Sequence, residues 1–353
     1  MLRYFKPLVI TSIIMIYLII LAGAVVRMTG SGMGCPDWPK CFGYYIPPTQ
    51  ESQIQWKAHH HYQEGTIIIV QESLRIAPIA FTSGSSYAPQ NWDNYTKHDY
   101  AKFNTWHTWI EYINRLVTVI AGFPILLMLI GSFGYWKSHK KITFLAVGTV
   151  MTMGVEAYLG KTVVDSNLLP LKITIHLLMA FVILAVLITI LLLLNSKQEK
   201  KPAKISKTLK HLLIATLLLT CLQIIMGTQV RQFIDEQVTI LGEDTPALWL
   251  QNPNLLFYIH RSFSIVVILT NCWIFFLNKK SGYPIPLVLG VLSLIGLEAL
   301  TGILMQYFHF PFLSQPLHLL LSAVLFGLQF YILLQAYHYP SSMATKTASI
   351  IQD

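Results

Sequence analysis

Apolar side chains dominate this chain in runs of about 20 residues, with almost no charge inside them. Eight such runs stand at about 8–27, 109–132, 142–163, 172–194, 209–230, 256–277, 284–306 and 315–337. Each predicts a helix that crosses a bilayer rather than a core helix, because the runs reach the length a span needs and the chain carries little charge. The first run is too long for the core of a signal peptide and no small-residue cleavage pattern follows it, so it reads as a retained anchor. Residues 28–108 break the pattern: they are rich in Trp, Tyr, Pro, Ser and Gln, and Ser83-Gly84-Ser85-Ser86 has the composition of a loop. The pattern as a whole predicts an all-α integral membrane protein with a long external loop after its first helix.

The runs repeat. Gly23-Ala24-Val25-Val26-Arg27 matches Gly227-Thr228-Gln229-Val230-Arg231, and Tyr112-Ile113-Asn114-Arg115 matches Tyr258-Ile259-His260-Arg261. Gly154-Val155-Glu156-Ala157, with His176 twenty residues after the Glu, matches Gly296-Leu297-Glu298-Ala299, with His318 twenty residues after its Glu. The matches predict two tandem four-helix bundles. Four spans are an even number, so both copies run the same way, related by a pseudo-two-fold axis along the membrane normal. The expected divisions are an N-terminal bundle over 1–195 that includes the loop 28–108, a cytoplasmic linker over 196–208, a C-terminal bundle over 209–337 and a cytoplasmic tail over 338–353.

Composition agrees with the spans. The 353 residues are 54% hydrophobic and 12% charged, against about 25% charged in soluble proteins. Arg3 and Lys6, then Lys137, Lys140 and Lys141, then the run from Lys197 to Lys210, then Lys279 and Lys280 fall on one side of the spans. That side is expected to be cytoplasmic, with both termini inside. The net charge of +9 is largely this topology signal and does not point to nucleic acid. Arg27, Arg115, Arg231 and Arg261 sit at the opposite ends of their helices. One such arginine would read as snorkelling to the interface; four at duplicated positions point to contact with an anion, since the guanidinium fork suits carboxylates.

Histidine within a span is costly and marks function by default. His260 and His318 in the second copy correspond to Asn114 and His176 in the first. Two axial histidines between helices suit heme iron, whereas zinc or copper sites want three or four clustered ligands. Glu156 and Glu298 need a partner inside the apolar helices; their duplication points to a shared structural role rather than catalysis. The copies differ where His107, Glu111 and Asn114 share one helical face, because Pro253 and Phe257 stand at the places of His107 and Glu111. The first copy is therefore expected to perform chemistry while the second holds a fixed cofactor. Cys35 and Cys41 lie on the side where disulfides persist, either as a bridge or as two free thiols, and Cys221 and Cys272 are expected to pack as small apolar groups.

At these residues the chain resembles the heme A synthase family over nearly all eight spans. The resemblance rests on Gly23 through Arg27 with the following Met28-Thr29-Gly30-Ser31-Gly32-Met33-Gly34-Cys35-Pro36-Asp37-Trp38-Pro39, on Glu111-Tyr112 with Arg115, and on His176, His260-Arg261 and His318. It implies oxidation of the C8 methyl group of heme O to a formyl group by successive hydroxylations and loss of water. It implies a permanent heme b between His260 and His318, with Arg231 and Arg261 at its propionates. Heme O as substrate is implied at His176, Asn114, Arg27 and Arg115, with Glu111 as the catalytic acid, and Cys35 and Cys41 match an external cysteine pair of some bacterial members. Implied partners are a heme O synthase (protoheme farnesyltransferase), an electron donor of unidentified kind and the bilayer of a bacterial plasma membrane. The chain departs from the family at Asn114, where His is usual. Either heme O is five-coordinate through His176, the favoured reading, or His107 two turns away replaces the ligand. The runner-up function is a diheme electron-transfer cytochrome, which would want complete histidine pairs in both copies; a transporter would want broken helices at mid-membrane.

Overall fold

The protein is described by a computed structural model over residues 2–97, 102–195, 205–278 and 285–338. Eight long helices account for most of it: α1 (Leu2–Met28), α2 (Thr105–Ser132), α3 (Lys140–Val164), α4 (Pro170–Asn195), α5 (Lys207–Leu241), α6 (Leu255–Asn278), α7 (Ile285–Tyr307) and α8 (Ser314–His338). All eight are long and apolar enough to cross a membrane. The chain is thus an all-α, multi-pass membrane protein. Phe123, Phe144, Met151, Leu218, Leu269 and Phe276 are exposed on the helices, a surface that suits lipid rather than water. Of the sequence-based divisions, most of the linker (196–204), Lys279 and Lys280, and residues 339–353 lie outside the described residues.

Neighbouring helices follow chain order within each half. α1 packs on α2, α2 on α3, α3 on α4, and α4 returns to α1; α5 to α8 close in the same way. Between the halves α1 meets α8, α4 meets α8, and α4 meets α5. Phe181 of α4 stacks on Phe326 of α8, with ring centroids 4.8 Å apart. Phe5, Ile16, Ile125, Met128, Ile183, Leu184 and Leu187 fill the core of the first half and reach this seam, and Leu209, Leu213, Val267, Ile274, Val291 and Ile332 fill the second.

The two copies end their first helices differently. α1 stops at Met28, and Gly30 adopts the left-handed φ of 63° that commonly terminates helices. The corresponding residue after Arg231 is Ile234, which has no such freedom, so α5 runs on to Leu241 and ends at Gly242 with φ 95°. Arg231 therefore lies within its helix rather than at the end expected from the repeat.

The connection from α1 to α2 is folded. β1 (His61–Tyr62) pairs with β4 (Phe81–Thr82), and β2 (Ile67–Val70) pairs with β3 (Ser73–Ile76), which pairs with β5 (Asp93–Asn94), all antiparallel. Successive strand side chains point to opposite faces, and both faces of β2 are covered. Ile67 joins Phe42, Ile54, Leu74 and the two cysteines in one cluster, while Ile68 joins Tyr62, Ala77 and Trp92 in another.

Candidate functional site

The polar residues of the first half gather where α2 begins beneath the folded connection. Asn104 caps α2 by accepting from the amides of Trp106 and His107 at 2.9 and 3.3 Å, satisfying two donors the helix cannot. About two turns in, Glu111 is 3% exposed. Its Oε2 accepts from the amide of Cys35 at 2.7 Å, and its Oε1 is ion-paired with Arg115 on the next turn. Arg115 reaches past it and donates to the carbonyls of Asp37 at 2.7 Å, Lys40 at 2.9 Å and Cys35 at 3.4 Å.

Those carbonyls belong to a short loop closed by a disulfide between Cys35 and Cys41, both completely buried. Gly34 lets this loop lie on the α2 backbone: a side chain there would collide with the carbonyl of His107, and Thr108 donates its hydroxyl to the Gly34 carbonyl at 2.8 Å. Asp37 accepts from the amides of Phe42 and Gly43 at 2.6 and 2.9 Å. Burial nevertheless pushes its carboxyl above the usual range, against the pull of those amides and of Arg115. The Tyr95 hydroxyl, pushed up to about 12 by burial, remains a donor at neutral pH and donates to the Pro36 carbonyl at 2.7 Å. His107 gives its backbone amide to the Asn104 cap, and its ring makes no hydrogen bond among the described residues.

Deeper in each half a carboxylate faces a histidine across the α3–α4 or α7–α8 pair. Glu156 Oε1 lies 3.2 Å from His176 Nδ1, and Glu298 Oε2 lies 2.9 Å from His318 Nδ1. Each glutamate keeps its other oxygen buried without a hydrogen-bond partner. His260 lies within electrostatic reach of His318, and its Nδ1 is buried and unpartnered. Its backbone carbonyl accepts from Gln223 Nε2 at 3.0 Å. Glycines admit the rings from neighbouring helices. A Cβ on Gly227 would stand 3.1 Å from His260 Cε1, and one on Gly160 would stand 3.3 Å from His176 Cε1. The first half has no such pair of imidazoles, because Asn114 occupies the place of His260 and turns its Oδ1 toward Gly23.

The arginines are spread more widely. Arg27 donates to Asp235 Oδ2 at 2.9 Å and to Gln232 at 3.3 Å. Arg231 reaches Asp235 Oδ1 at 2.6 Å and donates to the Arg27 carbonyl at 2.8 Å. One carboxylate thus joins equivalent arginines from the two halves. Arg261 lies over the rings of Tyr258 and Phe257 at 5.4 and 5.9 Å. Sequence reasoning passed over Asp235, Asp37 and Thr301; Asp235 had a signal in its position four residues after Arg231.

Among the described residues no three His, Cys, Asp or Glu side chains gather as a metal site. The second half instead brings two histidines within electrostatic reach of each other, which suits a group that takes two imidazole donors, and the first half has the single histidine His176. Residues 6–77 and 86–330 match a family model described as cytochrome oxidase assembly protein. Over 346 residues the chain is 20% identical to heme A synthase of Bacillus cereus, covering 94% of this chain and 93% of that protein. The same figures hold for heme A synthase of Bacillus anthracis. With heme A synthase of Shewanella oneidensis the identity is 24% over 216 residues, 61% of this chain and 53% of that protein, so that alignment spans about half of the relative.

Arg115→Ala removes a charged donor from three loop carbonyls and leaves Glu111 without its counter-ion. Hydrogen bonds to charged groups contribute about 1.5–3 kcal/mol each, so the loop should open far more often. The Cys35–Cys41 disulfide is expected to be reduced by a mild thiol at least about tenfold faster, read by maleimide labelling. An unchanged labelling rate would show that Arg115 does not hold the loop.

Proposed function

Because the chain belongs to the cytochrome oxidase assembly protein family, we propose that it is a heme A synthase that oxidises the C8 methyl group of heme O to a formyl group. Each of the two hydroxylations would consume one O2, two electrons from the donor and two protons and release one water; the second leaves the hydrated aldehyde, which loses water to give the formyl group. The observation that carries this reading is the inequality of the halves. The second has His260 within electrostatic reach of His318, while the first has His176, no histidine at Asn114, and the buried acid Glu111.

The residues of the second half fit a resident heme b. His318 is braced at Nδ1 by acceptors, His260 has a buried ring nitrogen without a partner, and Gly227 leaves room beside its ring. Bound there, heme b supplies a one-electron redox centre. Arg231 and Arg261 are the cations suited to its propionates.

In the first half His176 is the proposed ligand of the substrate heme O, and Asn114 leaves the opposite face without a strong donor. Arg27 and Arg115 are the cations proposed for its propionates. Arg27 already grips a carboxylate at Asp235, so such an anion suits it. Glu111 is the proposed catalytic acid, tied through the Cys35 amide to the disulfide loop. His107, whose ring has no bonded role, remains the alternative ligand to an open face. The chain is proposed to sit in a bacterial plasma membrane with its lysine-rich side and both termini in the cytoplasm, to receive heme O from a heme O synthase, and to draw on an electron donor.

His260→Ala and His318→Ala should each lower the heme-to-protein ratio of the purified chain at least about tenfold, because losing one of two axial ligands weakens iron binding. Full heme in both variants would contradict the assignment. Glu111→Ala is expected to keep the resident heme while heme A formation falls to background; normal turnover would remove Glu111 from the site. Asn114→His should convert bound heme O from a five- to a six-coordinate spectrum, and an unaltered spectrum would point to His107 as the ligand in place.

A further inference from the structure

His318 is held by more than a carboxylate. Thr301 Oγ1 lies 2.7 Å from His318 Nδ1, on the same ring nitrogen that faces Glu298 Oε2 at 2.9 Å. The threonine hydroxyl donates its own proton to the Glu298 backbone carbonyl, 2.9 Å away. A hydroxyl has one proton, so with that proton on the Glu298 carbonyl its oxygen is left to accept from the histidine. With an ionised Glu298 as the other neighbour, both groups at Nδ1 are acceptors, an arrangement that favours the ring proton at Nδ1. Nε2 then carries the lone pair, and it makes no hydrogen bond among the described residues.

The first half keeps part of this arrangement. Glu156 approaches His176 Nδ1 at 3.2 Å without completing a hydrogen bond. The residue in the place of Thr301 is Leu159, which offers no acceptor. Between Glu156 and Gly160, and between Glu298 and Gly302, the spacing is the same, so the threonine is an addition to a shared scaffold.

We propose that Glu298 and Thr301 are positioning residues that jointly fix the tautomer and rotation of His318, making it the more strongly donating of the two fourth-helix histidines. The inference rests on the reading of His260 and His318 as axial ligands of a resident heme. A ligating imidazole that donates its second N–H to a carboxylate becomes more basic. A more basic axial ligand favours ferric over ferrous iron, so the pair holds the midpoint potential of that heme down. Leu159 leaves His176 a weaker, less constrained donor, which suits a substrate that must leave after reaction.

The test is a spectroscopic redox titration of the full-length protein purified with its heme, beside Glu298→Gln, Thr301→Val, Thr301→Ser and His318→Ala. Glu298→Gln keeps the shape and an acceptor oxygen but removes the charge. At the wild-type midpoint its ferrous-to-ferric ratio should rise about tenfold, the lower end of the effect of losing a metal ligand's hydrogen-bonding partner. Thr301→Val should move the ratio the same way by about threefold, the size of one neutral hydrogen bond, and Thr301→Ser should restore it. Should Glu298→Gln fail to fold, the threonine pair decides alone. Wild-type midpoints in Glu298→Gln and Thr301→Val, with heme bound, would overturn the proposal while leaving the heme assignment standing. A wild-type chain without heme, or His318→Ala with an unaltered low-spin spectrum, would overturn the assignment and the proposal with it.

Discussion

A carboxylate held between apolar helices needs a polar partner, and in each half it faces an imidazole. Glu298 and His318 do so at 2.9 Å, and Glu156 and His176 at 3.2 Å. An unpartnered charge at such depth costs several kcal/mol, so this contact decides how the third helix of each half faces the fourth. It also decides which histidine nitrogen remains for a ligand. The glycines that follow each glutamate by one turn and the repeated packing of the helices all serve to bring these two groups together. The proposed cofactor site would be a consequence of how the buried polar groups are paired.

Around that shared contact the halves have been put to different use. In the second half Thr301 adds a contact at His318 Nδ1, and His260 lies within electrostatic reach of the same ring. In the first, Asn114 withholds the second imidazole, and α2 turns its acid and arginine toward the disulfide loop. Glu111 and Arg115 thus connect a membrane helix to a folded segment outside the spans, so opening of that loop and exposure of the acid are physically linked. Asp235, shared by Arg27 and Arg231, ties the two halves at the same end of the molecule.

The eight spans were legible because a run of about 20 apolar residues has few other uses. The duplication was legible because its motifs keep identical spacing. The small β structure between α1 and α2 was harder to see. Its β2–β3 hairpin turns at Gln71 and Glu72, both with positive φ, where Asn-Gly or Asp-Gly would have given a turn signal. Ile67-Ile68-Ile69-Val70 is a strong strand sequence, yet four apolar residues within a polar stretch are easily passed over. The partners of the arginines depend on chain segments far apart in sequence, and spacing says nothing about them. The local contacts are Arg115 with Glu111, Arg231 with Asp235, and Arg261 over Tyr258 and Phe257. Thr301 carries no signal of its own, because a threonine in an apolar helix ordinarily bonds back to its own backbone, as this one does to Glu298.

The central claim is that one half holds a fixed heme while the other oxidises a second. Expression of the chain beside a heme O synthase, followed by extraction of the pigments and their identification by mass, tests it most directly. The account predicts heme A in the extract together with heme B that stays with the purified protein. Heme B and heme O without heme A would contradict it and leave a heme-binding membrane protein of another kind.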